Sequence, residues 1–90
     1  MMSAKTLIRD LVTSTFSAED ATNVRDVRYL GTKDDYAEYL ILAFIPGDDA
    51  YIVTRGYINL STASFDYAGG TDMISSNLFD ANNFFENFKK

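Results

Sequence analysis

The stretch YLILAFIPG, Tyr39–Gly47, decides how the rest of the sequence is interpreted. Residues 39–45 carry no charge, and the phenol of Tyr39 is their only polar side-chain group. The run is too short for the roughly 18 apolar residues that a membrane-spanning helix needs. Its length is compatible with a helix, but its isoleucine, phenylalanine and tyrosine content and the Pro46-Gly47 pair that ends it favour a β-strand.

A second strand follows after a short turn, so that residues 36–60 are predicted to form a β-hairpin. The segment IPGD, residues 45–48, matches a type II turn, with proline in the second position and glycine in the third. The second strand then runs from Ala50 to about Leu60. Pairing of Ile45 with Ala50 would set the register of the whole hairpin, and a shift by one residue would exchange its two faces.

This register predicts two faces of different character. One face is apolar and contains small residues, which would let a helix pack closely against Ala37, Tyr39, Ile41, Ala43, Ile45, Ala50, Ile52, Thr54, Gly56 and Ile58. The other face, here called the mixed face, carries Tyr36, Glu38, Leu40, Leu42, Phe44, Tyr51, Val53, Arg55 and Tyr57. Tyr39 is expected to lie over Gly56. Glu38 and Arg55 are diagonal neighbours and are expected to form an ion pair.

The first third of the chain predicts a helix and a strand. Ser3 to about Thr15 reads as a helix, because apolar residues recur there at helical spacing: Leu7, Ile8, Leu11, Val12 and Phe16. Residues 17–20 resemble a capping box and predict a short second helical turn. A strand is predicted over Val24–Leu30, since valine and tyrosine favour strands and Gly31 ends the run.

The last third predicts one more strand and a helix. Thr62–Ala68 is interpreted as a strand and residues 69–77, which begin with two glycines, as a polar loop. In LFDANNFFENFKK, Asp80 is the expected N-cap, and Phe79 is expected to pack on Phe84 as a hydrophobic staple. The inward stripe of this helix is Ala81, Phe84, Phe85 and Phe88, and its C-terminus is followed by Lys89 and Lys90. A helix of about ten residues is marginal alone, so it is predicted to cover the apolar face of the hairpin.

These elements predict an α+β fold. Residues 1–90 are expected to form a single compact domain, an antiparallel three- to four-stranded β-meander packed by an N-terminal and a C-terminal helix. The hydrophobic fraction of 47% and the charged fraction of 23% are ordinary for a globular protein. Arg9 and Asp10 interrupt the first apolar run, so no secretory signal is recognised and a cytoplasmic location is expected.

The side chains that usually carry catalysis are scarce. The sequence has no cysteine and no histidine, which removes thiolate chemistry, the commonest zinc ligand and the usual general base. Asp34-Asp35 and Asp48-Asp49 could hold a divalent cation or act as an acid–base pair. Acidic residues are nevertheless common in solvated turns, and the hairpin places the two pairs at opposite ends of the sheet. A protein with no enzymatic activity, cofactor or metal is therefore expected.

Charge is distributed unevenly along the chain. The net charge is −5, and residues 29–88 contain two basic residues against nine acidic ones, 2 − 9 = −7. A protein that binds nucleic acid directly would be expected to show a basic patch, and no membrane span is predicted. The expected partner is therefore a basic protein, and carboxylates that meet it would raise the association rate more than the final affinity.

The mixed face supplies further candidate residues, because tyrosine and arginine are frequent anchors of protein interfaces. Soluble monomers rarely expose a large contiguous apolar patch, so this face requires cover. A helix of the same chain, a homodimer and a partner protein are all compatible with the sequence. The predicted partner-binding residues are Asp34, Asp35, Glu38, Asp48, Asp49, Tyr51, Arg55 and Tyr57.

Two functional hypotheses follow. The first is an acidic interaction protein that blocks a basic, nucleic-acid-binding surface of its partner. In size, charge and composition the chain is similar to small accessory proteins of phages and mobile elements, including inhibitors of anti-CRISPR and anti-restriction type. The second is a small-molecule-binding domain or minor enzyme with a pocket between sheet and helices, and with Tyr39, Tyr67 and Arg55 as its polar groups.

Overall fold

The protein consists of a four-stranded antiparallel sheet with helices from both ends of the chain. The structure, a computed structural model, describes residues 4–15 and 17–89. The elements are α1 (Ala4–Thr15), α2 (Ala18–Thr22), β1 (Val24–Lys33), β2 (Tyr36–Ile45), a 3-10 turn (Pro46–Asp48), β3 (Ala50–Asn59), β4 (Ser64–Ser75) and α3 (Leu78–Asn87). The strand order β1-β2-β3-β4 is that of a meander. The predicted α+β fold is therefore confirmed, while the proposed roles of Ser3, Phe16 and Lys90 lie outside the described residues.

The central hairpin has the register that the sequence predicts. β2 and β3 pair continuously from Tyr36↔Asn59 to Ile45↔Ala50. The predicted ion pair is also present, with Arg55 Nη1 3.9 Å from Glu38 Oε2. One detail differs, because the ring of Phe65 from β4 lies over Gly56, in place of the predicted Tyr39.

Helices cover both faces of the sheet, so the core has two parts. On one face α1 and α2 pack against the apolar side of the hairpin, and the buried residues there are Ile8, Val12, Ala21, Val24, Ala37, Ile41, Ala43, Ile58 and Phe65. On the other face α3 packs against the mixed face, and the buried residues there are Leu40, Leu42, Val53, Ala81 and Phe85. The prediction that α3 covers the apolar face is therefore wrong.

The physical reason lies in the short path from α1 to the sheet. α2 ends at Thr22, and its C-cap Asn23 leads without a loop into β1, whose first residue is the buried Val24. Arg9 of α1 also donates from Nη2 to the carbonyl oxygen of Val24, at 2.6 Å. These contacts hold α1 on the apolar face. The apolar residues of the mixed face, Leu40, Leu42 and Val53, are not covered by α1 or α2, and α3 is the helix that buries them.

The β2–β3 connection is not the predicted type II turn. Residues 46–48 form a 3-10 turn, the N–H group of Asp49 donates to the carbonyl oxygen of Pro46, and Asp49 takes the left-handed conformation with φ 48°. Gly47 does not have a positive φ. Because four residues separate the paired Ile45 and Ala50, a longer loop built around a 3-10 turn closes the hairpin. Aspartate tolerates the left-handed conformation better than most residues.

β4 continues through residues that the sequence assigns to a loop. Tyr67 pairs with Gly56 and Thr71 pairs with Thr54, so residues 68–70 of β4 lie opposite the single residue Arg55 of β3. Such a bulge accommodates two adjacent glycines inside a strand, because the extra residues leave the ladder and pairing then resumes. The predicted loop over residues 69–77 is therefore wrong as far as Ser75.

α3 begins earlier than predicted. Asn77 is its N-cap, and Asn77 Oδ1 accepts a hydrogen bond of 2.8 Å from the N–H group of Phe79. Asp80 lies in the first turn of the helix, and Phe79 is 76% exposed, so it does not form the predicted staple with Phe84. The inward positions Ala81 and Phe85 are buried as predicted.

The C-terminus of α3 is held by an arginine from β1. Arg28 Nη1 donates to the carbonyl oxygens of Phe85 and Glu86, each at 3.4 Å. The sequence predicts that Lys89 and Lys90 stabilise this helix end, but the helix ends at Asn87, Lys89 lies beyond it, and Lys90 is outside the described residues. A positive charge at this end of a helix interacts favourably with its dipole and with its last carbonyl groups.

Replacement of Arg28 with methionine is expected to lower the free energy of unfolding by about 0.5–1 kcal/mol, since the charge and its hydrogen bonds to two carbonyl groups are lost. Chemical denaturation measures this difference. Lys89→Met removes a cation next to the same helix end and is the matched control, with an expected effect within about 0.5 kcal/mol. An equal loss in the two variants would contradict the assigned role of Arg28.

Candidate functional site

The predicted partner-binding residues are divided between the two ends of the sheet. The β1–β2 turn and the β3–β4 connection meet at one end, where the N–H group of Leu60 donates to the carbonyl oxygen of Asp35 at 2.7 Å. Asp34, Asp35 and Tyr57 lie toward this end, with Glu38 and Arg55 behind them, whereas Asp48, Asp49 and Tyr51 lie toward the opposite end. A single contact surface through all eight residues is therefore not formed.

A depression opens on the mixed face at the first of these ends. It has a volume of about 390 Å³ and is lined by Lys33, Asp34, Tyr36, Tyr57 and Asp66. It is called the Tyr36–Tyr57 depression below. The sheet register explains its composition. Lys33 pairs with Tyr36 in one row, and Tyr57 pairs with Asp66 in the next row on the same face of the sheet. Each of the four strands therefore contributes one residue to the depression, and the β1–β2 turn contributes Asp34.

A polar network of Glu38, Tyr57, Arg55 and Asp72 adjoins the depression, because Tyr57 belongs to both. The hydroxyl of Tyr57 donates to Glu38 Oε2 at 2.8 Å, and Arg55 Nη1 lies 3.9 Å from the same oxygen. Arg55 also donates from Nε and Nη2 to the two carboxylate oxygens of Asp72, at 3.1 and 3.2 Å. These contacts fix the position of the Tyr57 hydroxyl, and the hydrogen bonds to Asp72 raise the pKa of Arg55.

Glu38 does not belong to the accessible contact surface. Its exposed fraction is only 6%, because it lies within the network between Tyr57 and Arg55. The prediction that its carboxylate meets a partner directly is therefore wrong. A buried carboxylate nevertheless contributes to the local potential, because screening by water and salt is weak around it.

The charges around the depression sum to a negative value. Lys33 and Arg55 contribute two positive charges, and the four carboxylates of Asp34, Glu38, Asp66 and Asp72 give 2 − 4 = −2. Arg55 binds Asp72 through two hydrogen bonds and lies farther from Glu38. The depression therefore combines two aromatic walls with a negative potential, which is an environment suited to a cation.

The cover of the mixed face comes from the chain itself. α3 buries Leu40, Leu42 and Val53. At the far end, Tyr51 packs on Phe44 with ring centroids 5.0 Å apart, and the guanidinium of Arg25 lies 5.7 Å from the Tyr51 ring centroid. The apolar part of this face therefore gives no argument for a homodimer, and Tyr51 has contacts within its own chain.

The three polar groups of the small-molecule hypothesis do not line one pocket. Tyr39 and Tyr67 pack against the core on the α1 side of the sheet, whereas Arg55 is on the α3 side. Burial is the main cause that raises the pKa of Tyr67, and the charge of Asp20 adds to it. This raised pKa reflects packing against the sheet and does not mark a site shared with Arg55.

Comparisons with protein-family models, with curated proteins and with solved structures give no match. Within residues 4–15 and 17–89, no helix has the length and apolar character to cross a membrane. The same part of the chain contains no group of three or more Asp, Glu, His or Cys side chains arranged to hold a metal ion.

Sequence reasoning missed Asp66 and Asp72 as parts of the site. Asp72 was hidden because the loop predicted over residues 69–77 separated it from β3. Asp66 could have been found, since it lies between Phe65 and Tyr67 in a strand, and alternation places it on the face opposite to theirs. That face carries Tyr57, its partner in the register.

Proposed function

We propose that this protein is a non-enzymatic interaction protein that binds a positively charged surface of a protein partner through the Tyr36–Tyr57 depression. The observation that supports the proposal is the combination of two tyrosines and two carboxylates, Asp34 and Asp66, around one concave surface. Tyrosine and charged groups in a recess are typical of the centre of a protein interface.

Preorganisation strengthens this proposal. Tyr57 is only partly exposed and its hydroxyl is bound to Glu38, so little side-chain freedom is lost when a partner contacts its ring. The carboxylates around it would attract a basic partner over a distance of about one Debye length, roughly 8–10 Å at moderate salt. The expected signature is fast association that slows as salt is added.

A nucleic-acid-binding surface is the kind of partner surface that this charge distribution fits. Such surfaces are rich in arginine and lysine because they neutralise phosphates. An acidic protein that covers them would compete with the nucleic acid, which is the action of an inhibitor of phage or mobile-element type. Competition between this protein and nucleic acid for a common partner is therefore part of the proposal.

Removal of the two carboxylates that line the depression is expected to weaken the binding of a basic peptide. For Asp34→Asn combined with Asp66→Asn, we expect about a tenfold loss of affinity for a peptide of alternating arginine and glycine, measured by isothermal titration at low salt. The matched control is Asp48→Asn combined with Asp49→Asn, which makes the same change in net charge at the opposite end of the sheet and should change the affinity less than about twofold.

Two outcomes would contradict the proposal. Equal losses in the two double variants would mean that only net charge matters, and the depression would have no special role. Unchanged affinity in the Asp34→Asn, Asp66→Asn variant would exclude the depression as the binding site. A loss confined to this variant, which becomes smaller as salt is added, would support the proposal.

A further inference from the structure

We infer that the Tyr36–Tyr57 depression holds the side chain of an arginine from the partner and selects arginine over lysine. This inference rests on the proposed function and specifies the group that the depression recognises. It is carried by the arrangement of the two tyrosines and by the positions of the carboxylates beside them.

The two tyrosines are diagonal neighbours on adjacent strands. Tyr36 of β2 pairs with Asn59, whereas Tyr57 of β3 pairs with Glu38, so the two side chains are offset by one row on the same face. Diagonal neighbours in an antiparallel sheet are typically about 7–8 Å apart, within reach of aromatic side chains. A planar guanidinium inserted into the depression can contact both rings.

The carboxylates lie on the two flanks of this space. Asp34 is in the β1–β2 turn, where it adopts a left-handed conformation with φ 55°, and Asp66 is on β4 beside Tyr57. A guanidinium presents five N–H donors in a flat fork, so it can stack on a ring and donate to carboxylates at the same time. The ammonium group of lysine is a compact and strongly hydrated charge that cannot stack in this way.

The volume of the depression and the presence of Lys33 in its lining both favour the insertion of a single side chain. Its volume of about 390 Å³ is at the lower end of the range of ligand pockets. Lys33 also lines it, so the depression would hold two cations once one arginine is inserted, and both would repel any further cation. A partner that presents one arginine, surrounded by less charged residues, fits the depression better than a run of lysines.

Titration with capped single amino acids tests the inference without any knowledge of the partner. The probes are the N-acetyl amides of arginine, lysine and citrulline, and the readout is the backbone amide spectrum of the full chain. Arginine amide is expected to shift the amide signals of residues 33–36, 57 and 66 in a saturable manner. Lysine amide should bind about three- to tenfold more weakly, and the uncharged citrulline amide more weakly still.

A pair of variants separates ring stacking from net charge. Tyr36 is 49% exposed, so Tyr36→Leu should fold normally, and it is expected to lower the affinity for arginine amide about three- to tenfold. Tyr36→Phe keeps the ring and should retain most of the affinity. Tyr29→Leu is the matched control, because Tyr29 is 55% exposed and is paired with Tyr39 on the other face of the sheet.

Equal binding of arginine and lysine amides, or unchanged arginine binding in Tyr36→Leu, would overturn the inference. Either result would leave the proposed function intact, since that depends on the difference between the two aspartate-pair variants. Absence of any saturable shift with arginine amide would likewise exclude a pocket for one arginine side chain. Preferential arginine binding that needs the ring of residue 36 would confirm the inference.

Discussion

Replacement of Gly56 with alanine is expected to lower the free energy of unfolding by about 2 kcal/mol, the effect of inserting a methyl group into a well-packed core. A Cβ atom at this position would lie 2.6 Å from Cζ of Phe65 and 2.8 Å from Cδ1 of Ile41. Both side chains are buried beneath α1 and α2, so neither can move away freely. Denaturation by urea, followed by circular dichroism, measures the difference.

Gly47 provides the matched control for this substitution. It lies in the exposed β2–β3 connection, and a Cβ atom there would meet no other heavy atom within 4 Å. Gly47→Ala should therefore be neutral or slightly stabilising, because alanine restricts the unfolded chain. Combining Gly56→Ala with Phe65→Leu should recover part of the stability. A Gly56→Ala variant as stable as the Gly47→Ala variant would show that the packing of Phe65 over residue 56 is not as described.

Replacement of Arg55 with methionine is expected to lower the free energy of unfolding by about 2–3 kcal/mol. Removal of one partner from a buried ion pair typically costs about 3–5 kcal/mol, and the 38% exposure of the Arg55 side chain reduces this amount. Glu38, which is buried, would lose its nearby cation and keep only the hydrogen bond from the hydroxyl of Tyr57. Thermal and urea unfolding at neutral pH measure the loss.

Two further variants make this test specific. Lys33→Met removes a cation from the exposed part of the same sheet face and should cost less than about 0.5 kcal/mol. Glu38→Gln removes the buried charge, so the double variant Glu38→Gln, Arg55→Met should be more stable than the sum of the single effects predicts. Strict additivity in this cycle would mean that Arg55 and Glu38 are not coupled.

The hairpin could be predicted from the sequence because its signals are local. The apolar run of β2 ends at Pro46-Gly47, and once Ile45 is paired with Ala50, strand geometry fixes every other pair. The contact between Glu38 and Arg55 followed from that register alone. Alternation and turn position were sufficient, since neither depends on the remainder of the fold.

The course of β4 could not be predicted, because it depends on a partner strand far along the chain. Two adjacent glycines usually indicate a loop, and no nearby residue signals that pairing resumes at Thr71. In the structure Thr71 pairs with Thr54, and Met73–Ser75 pair with Tyr51–Val53, which compensates for the interruption at residues 68–70. The position of Asp72 next to Arg55 follows from the course of β4, so a local interpretation missed one of the four residues of the polar network.

The prediction of the sheet face that α3 covers was wrong for a related reason. The stripe of Ala81, Phe84, Phe85 and Phe88 predicts that this helix packs on the sheet, but both faces of the hairpin contain apolar rows that would accept it. α1 decides between the two faces, because it is held at Val24 and packs on the apolar face, which leaves the mixed face for α3.

The candidate site was predicted only in part. Asp34 and Tyr57 line the depression, Glu38 is buried, and Asp48 and Asp49 lie at the opposite end of the sheet.

Both outer strands of the sheet depart from regular pairing, β1 next to Arg25 and Leu30, and β4 at residues 68–70. An outer strand that is straight and regular offers its free amide and carbonyl groups to any extended chain, and stacked fibrils grow in this way. Bulges of this kind bend a strand and increase its twist, so these register shifts make each outer strand a poorer template for a second sheet. We expect this to limit self-templated polymerisation of a chain with 14% aromatic residues and more than half of its length in strands or their turns.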